Sequence, residues 1–113
     1  MEKKTGAPAF LVTVEMDPAD EADFEKWYRE EHLDMLHKLP GYRRSLRYVI
    51  GPKTPLTMGE PPKYLAIHEF DDLRGLDGKE AEAANTTPWT VKHVNKSKVF
   101  IVRRWELVDS QGF

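Results

Sequence analysis

The sequence contains no cysteine, and this absence removes several chemistries at once. Without thiols the chain forms no disulfides, carries no thiolate nucleophile and offers no cysteine ligand to zinc. A long apolar run is also lacking, and the N-terminal MEKKTGAP has charges but no apolar core of a secretory signal. We therefore expect an intracellular, cytoplasmic protein with no membrane partner.

The sequence also has no large excess of positive or of negative charge. The 17 basic and 19 acidic residues are interleaved and give a net charge of −2. A nucleic-acid-binding surface needs clustered basic residues, so we expect no nucleic-acid partner. With 113 residues, 40% of them hydrophobic, the chain has an ordinary globular composition. We expect a single domain over residues 1–113, with an N-terminal tail over 1–8.

Motifs that bind metals or nucleotide cofactors are absent too. There is no H-E-x-x-H motif, and His32 and His37 are five residues apart, which places them on different sides of a helix. No glycine-rich phosphate loop or dinucleotide fingerprint is present. We expect neither a metal site nor a cofactor.

The hydrophobic patterns that are present predict the element order β-α-β-β-α-β. Strands are predicted over residues 10–16, 42–50, 64–70 and 99–108. Helices are predicted from a capping Asp17 to about residue 39, over 79–85 and over 89–94. The proline- and glycine-rich loop 51–62 is long enough to act as a lid. This order predicts an α+β, ferredoxin-like fold with an antiparallel four-stranded sheet and helices on one face.

Large apolar residues occur on both faces of the predicted strands, among them Leu11, Tyr48, Val49 and Trp105. Helices in this topology cover only one face of the sheet. A broad apolar sheet face in water is unusual for a monomer. We therefore predict a homodimer in which two sheets close into a barrel.

One face of the first predicted helix combines apolar and titratable residues. At about 100° per residue, its apolar members are Phe24, Trp27, Tyr28, Met35 and Leu39. Glu31 falls in the middle of this face and His32 at its edge. Two interpretations follow. Either Glu31 is a core acid paired with Arg43 or Arg47, or Glu31 and His32 face a cavity and perform proton chemistry.

Short motifs on this helix and the following strand can be compared with known families: Trp27-Tyr28, Glu31-His32, Pro40-Gly41-Tyr42 and Arg47-Tyr48. Further matches are YLAIHEF at 64–70 and Thr87-Pro88-Trp89. Together they resemble the dimeric α+β barrel superfamily, in particular its EthD-like members of fungal type. The resemblance implies a cavity in each subunit, between sheet and helices, with a first-helix histidine facing it. His32 holds that motif position.

Candidate site residues follow from the residue types and from this resemblance. His32 suits a general base because the ordinary pKa of histidine is close to neutral, although a packing role is the alternative. Glu31 would orient it, and His68 shares a strand face with Tyr64 and Phe70. The predicted catalytic residues are His32, Glu31, His68 and Tyr48. The predicted substrate contacts are Tyr28, Tyr64, Arg43, Arg47, Trp89 and Trp105.

The superfamily resemblance implies several possible functions, because its members include polyketide cyclases, muconolactone-type isomerases, decarboxylases, cofactor-free monooxygenases and haem-degrading enzymes. We expect a small cofactor-independent enzyme, a lyase, cyclase or isomerase, acting on an oxygenated substrate such as a polyketide-derived aromatic or a lactone. The alternatives are a non-catalytic ligand-binding or stress-type protein and a cofactor-free or haem-dependent monooxygenase.

Overall fold

The order of elements follows the sequence pattern. A computed structural model describes residues 6–54, 56 and 62–112. Its strands are β1 (Phe10–Met16), β2 (Tyr42–Val49), β3 (Tyr64–Phe70) and β4 (Phe100–Glu106). Its helices are α1 (Glu21–Trp27), α2 (Leu33–Leu36), α3 (Lys79–Thr86) and α4 (Pro88–Lys96), with a π-helical turn over Tyr28–His32 and a 3₁₀ turn over Arg74–Asp77. The predicted tail 1–8 and loop 51–62 lie partly outside the described residues.

The strands form one antiparallel sheet in the order β2-β3-β1-β4. Strand β1, one of the two central strands, sets Val12 opposite His68 on one side and opposite Arg104 on the other. Val12 and Phe70 pack with Leu36 on the face that the helices cover. These features confirm the predicted ferredoxin-like α+β fold with helices on one face. None of the helices in the described ranges is long and apolar enough to cross a bilayer.

The first helix begins three residues later than its strongest sequence signal. Asp20, rather than the predicted Asp17, caps it by accepting a hydrogen bond from the backbone N–H of Asp23 (3.1 Å). Asp17 is held elsewhere, because its own N–H donates to the carbonyl of Val99 (3.1 Å) beside β4. The helix ends at Leu36 instead of residue 39.

A π-helical turn interrupts this helix and changes which residues face the sheet. The backbone N–H of Leu33 donates to the carbonyl of Tyr28, five residues earlier. Because this turn contains one residue more than an α-helical turn, each later residue lies at about the angle around the helix axis that a regular helix would give to the residue before it. His32 and Leu36 are consequently buried, whereas Glu31 is only half-buried. The prediction that Glu31 occupies the middle of the apolar face, with His32 at its edge, is therefore wrong.

A second irregularity lies at the start of β2. Gly41 has a φ of +80°, in the left-handed region that favours glycine, and it turns the chain into the strand. The pairing of β2 with β3 then shifts register between Tyr42 and Arg44, as in a β-bulge. Tyr42 therefore faces the helices, with its ring 5.7 Å from that of Phe70, and does not share the face of Arg44 as simple alternation predicts.

The contact between Gly75 and Pro40 gives a stability prediction. A Cβ at Gly75 would lie 2.4 Å from the backbone oxygen of Pro40 and 3.0 Å from its nitrogen. Because backbone atoms cannot give way cheaply, Gly75→Ala should lower the free energy of unfolding by about 1–3 kcal/mol. Urea unfolding tests this, with Gly51→Ala as control because a Cβ there meets nothing within 4 Å. Equal stability of both variants would show that this packing is loose.

Candidate active site

A cavity of about 340 Å³ lies between the helices and the sheet face that they cover. Its wall is mainly apolar and includes Val12, Met16, Leu36, Leu39, Phe70 and Ala84. The edge strand β4 borders it with Phe100, Val102 and Arg104, which are exposed, so the cavity opens beside this strand. Small-molecule sites have volumes of about 300–1,000 Å³, and the cavity is at the lower end of this range.

Two buried histidines, His32 and His68, line this cavity. Their exposed fractions are 7% and 3%. Among the described residues, neither Nδ1 of His32 nor Nε2 of His68 has a hydrogen-bond partner, although both atoms are buried. Buried polar atoms are nearly always paired, so two orphaned ring nitrogens at one cavity require an explanation.

Aromatic packing fixes the ring of His32. The indole of Trp27 stacks on it, with the ring centroids 4.5 Å apart and the planes inclined by 26°. The ring of Tyr28 meets it edge-on at 5.4 Å. Trp27 is itself anchored, because its Nε1–H donates to Thr90 Oγ1 (3.1 Å), whose hydroxyl donates to the carbonyl of Ala84 (2.9 Å).

The environment of both histidines favours the neutral ring. Burial lowers the pKa of His32 to about 4. Burial lowers the pKa of His68 to about 3, with smaller contributions of the same direction from His32 and Arg47. At neutral pH each ring therefore carries one N–H donor and one unprotonated nitrogen. The pair can accept and donate protons within an apolar enclosure.

These shifts predict that acid destabilises the fold. Both groups have a folded pKa below the ordinary 6.5, so their stabilising contribution is complete above pH 6.5 and is lost as the pH falls toward about 4 for His32 and about 3 for His68. The loss for His32 should be roughly 3 kcal/mol. Urea unfolding at neutral pH and near pH 4.5 measures it. A His32→Gln/His68→Gln double variant should lose less stability on acidification, and an unchanged pH dependence would contradict the assignment.

Solved structures of similar fold extend over nearly the whole chain. An EthD family protein from Bacillus halodurans C-125 is 17% identical, covers 88% of this chain and 97% of its own, and has a TM-score of 0.51. A variant of SnoaB, a cofactor-independent oxygenase from Streptomyces nogalater, is 14% identical, with coverages of 89% and 93% and a TM-score of 0.52. The chain has the fold of the EthD-like proteins. At these identities the similarity establishes the fold alone, and no protein-family model matches the sequence.

A fungal relative is similar in sequence to part of this chain. Core atranone cluster (CAC) protein 1 from Stachybotrys chlorohalonatus is 34% identical over 83 residues. The match takes in 62% of this chain and 36% of that protein. The chain thus spans about a third of the length of this relative. The match agrees with the fungal type of the resemblance seen in the sequence.

Within the EthD-like fold, the predicted ion pair of Glu31 with an arginine is not formed. Arg47 pairs with Glu25, Nη1 to Oε2 at 3.1 Å, and Arg43 Nε lies 3.7 Å from Asp71 Oδ1. Glu31 instead accepts a hydrogen bond from the hydroxyl of Thr87 (2.8 Å). The π-helical turn is the physical reason, because it carries the carboxylate toward the start of α4.

Three more of the residues predicted to contact substrate lie around the first helix: Tyr28, Tyr64 and Trp89. Tyr28 lines the cavity, and Arg47 lies over its ring at 4.3 Å from the centroid. Burial raises the pKa of Tyr28 well above its ordinary value. The Tyr64 hydroxyl donates to Glu21 (2.6 Å), so this tyrosine holds the start of α1. Trp89 does the same through its Nε1–H, which donates to Asp23 Oδ2 (2.9 Å). Neither Tyr64 nor Trp89 lines the cavity beside His32.

Tyr48 and Trp105 lie on the opposite face of the EthD-like sheet. Alternation along β2 and β4 places them there, and Trp105 Nε1 donates to Thr13 Oγ1 (2.7 Å) across that face. Within one chain the sheet therefore separates them from His32. Their exposed fractions of 47% and 51% make them part of a half-exposed apolar surface.

Two polar residues beside the cavity escaped the sequence analysis. Ser45 Oγ lies 2.7 Å from His68 Nδ1, and the hydroxyl of Tyr42 contacts Ser45 Oγ at less than an ordinary hydrogen-bond distance. Alternation alone places Ser45 on the face of Arg47, but the pairing of Ser45 with His68 depends on a register that the sequence does not state. Within the described ranges, no group of three or more His, Asp or Glu side chains is placed to hold a metal ion.

Proposed function

We propose that this chain is a small cofactor-independent enzyme that moves a proton from a carbon next to a carbonyl group. The observation that carries this proposal is the pair of histidines at one apolar cavity, each with an orphaned buried nitrogen. Neutral imidazoles are suited to general acid–base catalysis, and an apolar enclosure strengthens the hydrogen bonds that they make to a developing charge.

In the proposed reaction His32 is the base and His68 the hydrogen-bond donor. The substrate C–H bond breaks, His32 takes the proton, and the electron pair moves onto the carbonyl oxygen as an enolate. His68 donates a hydrogen bond to that oxygen. Where a C=C bond is conjugated with the enolate, His32 can return the proton to the far end of the conjugated system, which is isomerisation. Alternatively the enolate carbon can attack a second carbonyl, and the alkoxide that forms takes the proton back from His32, which is cyclisation. The anion formed beside His32 raises the pKa of that ring, so proton transfer becomes easier as charge develops.

The proposed substrate is a compact, largely apolar, oxygenated molecule such as a polyketide-derived aromatic or a lactone. The cavity volume of about 340 Å³ and its mainly apolar wall support this class. The fungal relative, a protein of the atranone cluster, supports a role in secondary metabolism. A cytoplasmic location and a homodimer are also part of the proposal.

The test uses 2-tetralone, a bicyclic aromatic ketone with acidic methylene protons. Proton NMR in D₂O under nitrogen measures how fast those protons exchange with and without the protein. The proposal requires accelerated exchange that saturates with ketone concentration. Saturable binding without exchange would support a ligand-binding protein instead. Oxygen uptake in air, or a Soret band on adding haem, would support a monooxygenase.

A further inference from the structure

Two hydroxyl groups connect His68 to the rim of the sheet on its helix-covered side. The hydroxyl of Tyr42 contacts Ser45 Oγ, and Ser45 Oγ lies 2.7 Å from Nδ1 of His68. The other ring nitrogen of His68, Nε2, is buried, has no partner among the described residues, and belongs to a ring that lines the cavity. The chain of hydroxyl groups thus ends on the side of His68 away from its orphaned nitrogen.

The direction of these hydrogen bonds decides what His68 can do. If Nδ1 carried the proton, it would donate to Ser45 and Ser45 to Tyr42, which would leave the phenolic proton of Tyr42 without an acceptor in the described part of the chain. In the opposite direction, Tyr42 donates to Ser45 and Ser45 donates to Nδ1. Both hydroxyl protons of these half-buried residues then have acceptors within the protein. Burial also raises the pKa of Tyr42, so its hydroxyl keeps the proton that it donates.

We infer that Tyr42 and Ser45 are positioning residues that hold His68 in the Nε2–H tautomer, so that His68 presents a hydrogen-bond donor to the cavity. The catalytic meaning of this donor rests on the proposed function, but the tautomer is a property of the protein without substrate. The two histidines therefore have different roles. His68 has no unprotonated nitrogen facing the cavity and stabilises the enolate oxygen, which leaves proton abstraction to His32.

The tautomer can be read from two-bond ¹H–¹⁵N correlation spectra of protein labelled with ¹⁵N-histidine. The protonated and unprotonated nitrogens of a neutral imidazole differ widely in ¹⁵N shift, and their correlations to Hδ2 and Hε1 identify which nitrogen is which. We expect one form of His68, with Nε2 protonated and Nδ1 unprotonated. An Nδ1–H tautomer in the wild type would overturn the inference.

Three variants test whether the hydroxyl groups fix that form. Ser45→Ala should move both nitrogen shifts of His68 toward each other, because the two tautomers then exchange. Ser45→Thr keeps the hydroxyl and should restore the wild-type shifts. Tyr42→Phe keeps the ring that packs on Phe70 and should give a smaller change in the same direction. Identical His68 shifts in wild type and Ser45→Ala would show that the hydroxyl groups do not position the ring.

Activity provides a second, separable readout. Ser45→Ala should lower the rate of ketone proton exchange by about 10- to 100-fold, less than removal of the His68 donor, and Ser45→Thr should recover most of it. If the wild-type protein catalyses no exchange yet shows the expected tautomer and its loss in Ser45→Ala, the proposed function fails while the positioning role stands. If instead the wild-type protein catalyses exchange but His68 is in the Nδ1–H tautomer, the positioning role fails while the proposed function stands.

Discussion

Replacement of His32 by glutamine is expected to lower the rate of ketone proton exchange by roughly two to four orders of magnitude, the usual contribution of a positioned general base. Glutamine fills much of the same volume but cannot accept the proton at neutral pH. His68→Leu, which has no side-chain donor, should cost about 10²–10³-fold, as expected for one lost donor to an oxyanion. The exchange assay in D₂O measures both effects.

His37→Gln is the matched control for these variants. His37 lies on the same helical segment, is exposed and does not line the cavity, so its replacement should leave the exchange rate unchanged. The pH profile provides a further check on the wild type. Because burial lowers the pKa of His32 to about 4, kcat/KM should stay flat below neutral pH and fall only as the pH approaches that value. Undiminished exchange by His32→Gln would exclude His32 as the base.

The second large effect concerns assembly: the chain should run as a dimer with a mass near twice 13.1 kDa. The helices cover one sheet face, and the opposite one, here called the open face, carries Leu11, Tyr48, Ile67 and Trp105. Just after the end of β4, Leu107 lines a groove together with Leu11 and Trp105. Tyr48, Trp105 and Leu107 are each about half-exposed in the single chain. The ion pairs Arg44–Glu69 (2.9 Å) and Arg103–Glu15 (3.8 Å) lie on the same face between these apolar side chains. Half-exposed aromatic and aliphatic side chains in such number on one sheet face are unusual for a monomer, and a second copy of the same sheet would bury them.

A charge on the open face should dissociate this dimer. Trp105→Glu removes a large aromatic contact and buries a carboxylate, so it should weaken dimerisation by at least about 30-fold, the cost of one interface hot spot. Tyr48→Glu is a second variant of the same face. Val91→Glu is the control, since Val91 is 41% exposed on α4, away from the open face. Light scattering reports the mass. A wild-type monomer at micromolar concentration would contradict the barrel arrangement.

The general architecture was predictable because it depends on regular patterns. Alternating strand residues, the Thr87-Pro88 helix start and the Pro40-Gly41 turn each act over a few neighbouring positions. The Thr87 cap, which accepts a hydrogen bond from the N–H of Thr90 (3.1 Å), is present as the sequence suggests. Local signals of this kind do not depend on the rest of the fold, so they can be read from the sequence alone.

The candidate site was only partly predictable because two local irregularities assemble it. The π-helical turn brings His32 into the core and moves Glu31 out, which no constant angle per residue can anticipate. The register shift in β2 brings Tyr42 to the face of Ser45, which strict alternation excludes. Such irregularities are frequent at functional sites, where they redirect side chains. Their positions depend on tertiary packing, and the sequence pattern carries no mark of them.

The most direct test of the central claim, that the cavity beside His32 and His68 is the ligand site, is a titration with 2-tetralone observed at the imidazole Hε1 signals. The four histidines include internal controls, because His37 is exposed and His93 is held by Asp23 (2.8 Å) outside the cavity. We predict that the signals of His32 and His68 shift in a saturable way while those of His37 and His93 stay in place. Shifts at the Trp105 indole with both cavity histidines unmoved would contradict the account.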